Sequence, residues 1–313
     1  MEERKKIVVI CGPTASGKTG LSLFLSSRLN GEIISADSMQ VYRKLDVGTA
    51  KATTAEQAVA PHHLVDFLDP DEPYNVEIFT RLAKEKIDDI SSRNNLPFIV
   101  GGTGLYIESL VNGITFTEQN SDKTVRKQLE NQLSELGKEH MYNKLVEIDP
   151  EYARTVHPNN AVRVLRALEI YYATGTTMTQ QIASSKPSEK PYDALLIAIT
   201  FKDREKLYEN INRRVDVMVE DGVLEEAEYV YKNKDRFVNS AAAIGYKEFF
   251  PYFEGEKTLE ECIEDLKTGS RHYAKRQLTW FNRMKDINWI YVDDEADYKQ
   301  RALQLAENFL NGR

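Results

Sequence analysis

The chain has 313 residues, 41% hydrophobic and 29% charged, with a formal net charge of −8. That is an ordinary soluble composition, long enough for one large domain or two smaller ones. No apolar run approaches the ~18 residues of a membrane-spanning helix, and the acidic balance argues against a protein that coats nucleic acid indiscriminately, while leaving a local basic groove open.

Ile7–Ile10 reads as a strand, too short and too abruptly reached from the N-terminus to be a signal peptide. It leads into Gly12-Pro13-Thr14-Ala15-Ser16-Gly17-Lys18-Thr19 and an amphipathic helix from Lys18 to about Leu29, for which Gly31 is the expected C-terminal stop. Residues 32–36 read as a second strand, 62–68 as a short strand or turn, and 76–94 as a helix with Ile78, Leu82, Ile87 and Ile90 at helical spacing. Leu96–Val100 is a buried strand followed by Gly101-Gly102-Thr103-Gly104. This alternation predicts a parallel sheet with helices on both faces.

From about residue 116 to 186 the strands stop. Leu129, Leu133, Leu136 and Leu145 fall in long polar helices, 161–175 is a helix closed by Gly175, and 184–191 is a Ser/Lys/Pro linker. A strand returns at 192–201, helices follow, and a last strand is expected at 287–294. The expected fold is α/β: a P-loop NTPase-like parallel-sheet core, residues 1–115 plus 187–313, carrying a mostly helical insertion domain, residues 116–186. Cys11 and Cys262, far apart and without an export signal, point to a reducing cytoplasm and to neither a disulfide framework nor a Cys-rich zinc site.

The Gly12–Thr19 pattern, with a strand before it and a helix after, is a phosphate-cradling loop. Its backbone N–H groups and the helix N-terminus face phosphate oxygens, Lys18 reaches the outer phosphate, and the Thr19 hydroxyl ligates Mg²⁺. A triphosphatase also needs an aspartate at the end of a later strand to position the metal. After Val100 there are glycines and no carboxylate. Asp37, at the carboxyl end of the second strand, is placed to act as a base, to hold the metal indirectly, or to cap a helix beginning at Ser38. Gln40 at the same edge is suited to pairing with adenine.

Residues 271–285 hold five Lys/Arg and no acid. On a helix, Tyr273, Gln277, Trp280, Phe281 and Met284 form a core stripe, leaving Arg271, Lys275 and Arg276 to track a phosphate backbone or to balance acidic neighbours. Arg163 and Arg166 form a similar pair with Glu169 in reach, and Arg213 and Arg214 can contact phosphates or make intrahelical ion pairs. His62, His63 and Asp66 lack the further ligands a metal site needs.

"GPTASGKT", "ISADSMQVY", "VGTAK", "VGGTGLYI", "HPNNAVRVLRALEIY", "AIGYKE" and "RHYAKRQLTWF", in that order, resemble the tRNA dimethylallyltransferase family, over residues 7 to about 285. The resemblance implies transfer of a dimethylallyl group from dimethylallyl diphosphate to N6 of adenine 37, beside the tRNA anticodon, with Mg²⁺ as cofactor. It implies that Gly12–Thr19 hold the diphosphate, that Asp37 is the general base, that Thr103 orients substrate, and that Lys18 and Arg214 stabilise the leaving diphosphate. Asp37, Ser38, Met39, Gln40, Thr103, Arg126, the segment Val162-Arg163-Val164-Leu165-Arg166, and Arg271, Lys275 and Arg276 match regions along the tRNA path, with the insertion gripping the anticodon stem-loop. Where the resembling motif has glycine after its first arginine, this chain has Lys44. Other readings are a small-molecule P-loop kinase, an adenylate isopentenyltransferase, and a nucleotide-dependent RNA-binding module. A cytoplasmic monomer without membrane contact is expected.

Overall fold

In chain order the first elements are β1 (Lys6–Cys11), α1 (Lys18–Arg28), β2 (Gly31–Ser35), α2 (Thr54–Val59), β3 (His62–His63), α3 (Val76–Ser92), β4 (Leu96–Gly101) and α4 (Gly104–Val111). Helices α5 (Lys123–Ile148), α6 (Pro150–Ala153), α7 (Ala161–Thr174) and α8 (Met178–Ser184) follow. Then come β5 (Asp193–Thr200), α9 (Arg204–Glu220), α10 (Val223–Lys232), α11 (Phe250–Phe253), α12 (Leu259–Phe281), β6 (Ile287–Tyr291) and α13 (Tyr298–Leu310). The structure is a computed structural model, and it describes residues 4–115, 123–185, 187, 189–237 and 239–312. The chain divides into two compact units, Met1–Val111 with Pro191–Arg313, and Asn112–Lys190. The boundaries read from composition, 116 and 186, lie outside the described residues.

In the first unit all strand pairings are parallel, in the order β3-β2-β4-β1-β5-β6. A parallel sheet is covered on both faces, so its central strands read as unbroken apolar runs. β1 shows the consequence. Ile7, Val9 and Cys11 face a core that includes Phe79 and Ile87 of α3, Ile107 of α4 and Phe281 of α12. Val8 and Ile10 face the opposite core, with Leu21 and Leu25 of α1 and Ala302 and Leu303 of α13. The two helical layers leave the carboxyl ends of β1, β2 and β4 open to loops, the place where ligands of such sheets bind.

Gly31 differs from expectation. It opens β2 rather than closing α1, and the left-handed residue after the helix is Asn30, φ 50°. Glycine is needed at 31 because a Cβ there would lie 2.2 Å from the Phe98 ring.

The second unit has its own core of Leu129, Met141, Leu145, Val164, Leu165 and Leu168. α5 breaks at Gly137, φ 81°, and Leu136 beside the break is exposed. Buried Asp149 accepts the Tyr152 N–H and both the N–H and hydroxyl of Thr179, tying the start of α6 to α8. Gly175, φ 71°, closes α7. The Thr115 N–H donates to Ser185 O at 3.0 Å, which joins the two ends of this unit. Among the described residues no helix is long and apolar enough to cross a membrane.

Candidate active site

The loop between β1 and α1 takes its shape from three residues in left-handed conformation: Gly12 (φ 141°), Ala15 (φ 60°) and Gly17 (φ 92°). A Cβ on Gly12 would sit 2.2 Å from Ile199 O, so only glycine lets β5 pass this close. Gly17 is the N-cap of α1 and brings no side chain to cap it. The first-turn N–H groups are therefore not consumed by a cap and retain their capacity for an anion. Lys18 Nζ bends back to Pro13 O at 2.6 Å. Burial, with Arg214 beside it, pulls the Lys18 ammonium down to about 8, while Asp37 acts in the opposite sense. Such a lysine gains when phosphates arrive.

Two cavities adjoin this loop. One, of about 470 Å³, is lined by Gly17, Lys18, Thr19, Gly101, Gly102 and Arg213 among others. The second, of about 310 Å³, has an apolar wall of Ile211, Val215, Met218, Ala243, Ile244 and Leu266, with Ser38, Met39, Lys247 and Arg276 at its edge. Thr14, Ala15, Asp37, Thr49, Arg214 and Tyr273 line both. A reacting group placed among these six residues is reached from the phosphate side and from the basic, apolar side at once.

Asp37 sits at that junction. Its Oδ1 accepts the N–H of Met39 at 2.8 Å and of Gln40 at 3.3 Å, and its Oδ2 has no hydrogen-bond partner among the described residues. The cap reading is half right: Asp37 caps a turn, no helix starts at Ser38, and one oxygen is left over. Gln40 departs further from expectation. Its Oε1 accepts the Ser35 hydroxyl and its Nε2 donates to Thr49 O and Ala50 O, so its amide is consumed inside the protein instead of facing a base. Arg214 reaches Thr14 Oγ1 from α9 at 3.4 Å.

Gly101 ends β4 and Gly104 opens α4, and none of Gly101, Gly102 and Gly104 uses a positive φ. They are required by close packing. A Cβ would lie 2.2 Å from Ala36 O at Gly101, 2.1 Å from Gln277 Nε2 at Gly102, and 2.4 Å from the Trp280 ring at Gly104. Thr103 Oγ1 is buried, with the Tyr273 hydroxyl beside it. The helical stripe in the sequence marks Gln277 only as a core residue. It is 5% exposed, its Oε1 accepts the Thr14 N–H at 2.8 Å, and its Nε2 donates to Gly102 O at 3.0 Å. It bridges both glycine loops from α12. Nothing local in the sequence could reveal a partnership across 263 residues.

Two family models match the chain: IPP transferase over residues 40–284, and isopentenyl transferase over residues 5–62. The chain belongs to the IPP transferase family. It is 48% identical to a tRNA dimethylallyltransferase of Bacillus cytotoxicus, covering 98% of both chains, and 45% identical to one of Halalkalibacterium halodurans, covering 99% and 98%. Among solved structures it resembles the tRNA isopentenylpyrophosphate transferase of Bacillus halodurans (TM-score 0.71, 44% identity, 99% of this chain and 96% of that one). It also resembles a eukaryotic dimethylallyltransferase crystallised acting on tRNA (TM-score 0.83, 34% identity, 99% and 80%).

The residues that match the family's tRNA path separate into two groups. In the second unit Val162 is 70% exposed and Arg163 and Arg166 are exposed, whereas Val164 and Leu165 are core residues that a ligand on the surface does not reach. Arg126 and Arg166 both reach the buried Glu169, at 3.4 and 3.0 Å. In the first unit Lys275 and Arg276 are exposed, with Arg276 over the Tyr273 ring at 5.6 Å. Arg271 is used internally: its guanidinium donates to Asn212 Oδ1 at 2.6 Å and Thr268 Oγ1 at 2.9 Å, fastening α12 to α9. His62 and His63 bond Ala60 O and Glu32, at the amino end of the sheet. Among the described residues no three His, Cys, Asp or Glu side chains cluster as a metal site. Lys44 stands at φ 64°, the left-handed conformation that the family's glycine would adopt without strain.

Proposed function

We infer that this chain transfers the dimethylallyl group of dimethylallyl diphosphate to N6 of adenine 37 of tRNA and releases diphosphate. The observation that carries the reading is the junction at Asp37 and Arg214 between a phosphate-loop cavity and a second cavity edged by bases. A phosphate loop specifies phosphates, not a nucleoside. With Gly101 and Gly102 where a metal-positioning aspartate would stand, the diphosphate is read as a leaving group carried by an isoprenoid.

The exocyclic amine of adenine is a weak nucleophile because its lone pair is delocalised into the ring. Rate must come from leaving-group stabilisation and placement. As the allylic C–O bond breaks, its electron pair goes to the diphosphate, where the α1 N-terminal amides, Lys18 and Arg214 meet the growing charge. The N6 lone pair forms the new C–N bond, and Asp37 Oδ2 takes the N6 proton. Tyr273, which lines both cavities with Thr103 behind it, holds the acceptor side, and the surrounding walls keep water from the allylic carbon. Adenine 37 leaves the anticodon-loop stack to enter the second cavity, at a cost comparable to base flipping. The exposed Lys275 and Arg276, and in the helical unit Arg163 and Arg166, supply contacts to the stem-loop backbone.

Mg²⁺ fits the donor set. Thr19 is exposed on the phosphate cavity and offers its hydroxyl, and a cation bound largely through diphosphate and water asks for little more from the protein. When bound it would neutralise diphosphate charge. In the test, the protein is incubated with labelled dimethylallyl diphosphate and Mg²⁺, with unmodified tRNA carrying adenines 36 and 37, with AMP, or with no acceptor. Label on tRNA alone is expected. Label on AMP alone, or ATP turnover with a small acceptor, overturns the reading.

A further inference from the structure

Residues 46–50 form a wall of the site although they belong to no helix or strand. Gly48 and Thr49 line the second cavity, and Thr49 and Ala50 the phosphate cavity. The segment makes its own turn, with the Ala50 N–H donating to Val47 O at 2.9 Å and the Thr49 hydroxyl to Leu45 O at 2.7 Å, and Ala50 stands at φ 46°. Two side chains from outside hold it, Gln40 at the Thr49 and Ala50 carbonyls and Glu226 at the preceding N–H groups. Glu226, on α10, accepts through Oε1 the N–H groups of Asp46 and Val47, each at 2.9 Å, and through Oε2 the Gly48 N–H at 3.1 Å and the Tyr246 hydroxyl at 3.0 Å. Three successive backbone N–H groups converging on one anion make a nest. Charge-assisted bonds of this kind are about twice as strong as neutral ones. Tyr246 is fully buried, and burial beside Glu226 pushes its hydroxyl far above the usual range, so it stays a donor at any working pH. Its ring also sets the position of Gly48, where a Cβ would fall 2.4 Å from it.

We propose that Glu226 is a positioning residue for the transfer reaction: its carboxylate fills an anion nest and thereby fixes residues 46–50 as the wall common to the donor and acceptor cavities. It touches no reacting atom and acts through Thr49 and Ala50, whose carbonyls Gln40 holds from the other side. The consequence for catalysis rests on the function inferred above, whereas the nest itself is open to measurement without any substrate.

The test uses the full chain with Glu226→Ala, Glu226→Gln and Tyr246→Phe. In Glu226→Ala the amides of 46–48 should exchange hydrogen at least ~10-fold faster, and kcat/KM should fall ~10–100-fold, the scale of a displacement near 1 Å. Added formate, a carboxylate small enough for the vacated nest, should slow that exchange and restore transfer, while chloride at equal ionic strength should not, and the wild type should not respond. Glu226→Gln turns an N–H₂ toward the nest donors, so it should lose activity without formate rescue. Tyr246→Phe keeps the ring and removes one of the four donors, so it should show the same changes at smaller amplitude. Wild-type exchange and transfer in Glu226→Ala, or a loss that formate leaves untouched, overturns the proposal. So does unchanged exchange in Tyr246→Phe, which covers the case in which the alanine variant does not fold. Absence of transfer by the wild type with the exchange pattern intact refutes the inferred function and leaves the nest standing.

Discussion

Gln277→Ala removes the bridge between the phosphate loop and the loop after β4. Two hydrogen bonds are lost, each contributing about 1 kcal/mol net. A buried backbone group left unpaired costs ~1–3 kcal/mol more, but Gly102 and Thr14 border the phosphate cavity, where water can replace part of the loss. The expected destabilisation is ~2–3 kcal/mol, or roughly 4–6 °C in Tm for a chain of this size. The catalytic effect should exceed what stability accounts for. Thr14 lines both cavities and meets Arg214, so a shift of ~1 Å in its backbone should cost ~100-fold in kcat. Gln277→Glu keeps an acceptor for the Thr14 N–H but sets a carboxylate against Gly102 O and adds negative charge beside the diphosphate. It should raise the donor KM more than the alanine variant does. Transfer is measured with varied donor at a temperature well below each variant's Tm, alongside thermal unfolding. If Gln277→Ala loses the expected stability yet keeps wild-type kcat and donor KM, the bridge supports the fold without placing the loop, and the reasoning fails.

Asp37→Asn keeps an oxygen to accept the Met39 and Gln40 N–H groups, so the turn survives while the base is lost. We expect kcat to drop ~10²–10⁴-fold with tRNA affinity nearly intact, and near-normal turnover would leave Asp37 as a turn cap only. Lys18, lowered from 10.5 to about 8, is charged in the folded state only below that pH. The unfolded chain binds more protons between about 8 and 10.5, so this group's contribution makes stability rise with pH across that window. Donor binding favours the charged form and should take up about half a proton at pH 8 by calorimetry in buffers of different ionisation enthalpy, with none in Lys18→Met. Lys44→Gly relieves a left-handed side-chain residue and should raise stability by up to ~1 kcal/mol in thermal or denaturant unfolding; a loss would show that the Lys44 contact with the Tyr229 ring, at 5.7 Å, outweighs the strain. tRNA affinity should fall steeply with salt, and Arg163→Ala or Lys275→Ala should each reduce the slope by about one contact, whereas Arg271→Ala should not.

The phosphate loop was legible because its sequence pattern is a backbone prescription: glycines at 12 and 17 adopt the positive φ the pattern demands. The strands were legible because a sheet covered on both faces needs continuous apolar runs, and β1, β4 and β5 supply them. Asp37 was legible from its place at the end of β2. The supporting contacts were not. Gln277 and Glu226 act on backbone atoms more than 170 residues away in the chain, and their residue types carry no mark of that task. Charge pattern misled at Arg271, because spacing along a helix cannot show that Asn212 and Thr268 lie beside the guanidinium. Val164 and Leu165 were included by matching a segment, when only alternate faces of α7 look outward.

The most direct test of the central claim is to map the product. An unmodified tRNA is treated with the protein, dimethylallyl diphosphate and Mg²⁺, digested with nuclease, and its fragments are weighed by mass spectrometry. One dimethylallyl group is expected, on the adenine at position 37, and none on the same tRNA with guanine there. Label at another nucleotide, or transfer that persists when position 37 is guanine, would contradict the central claim.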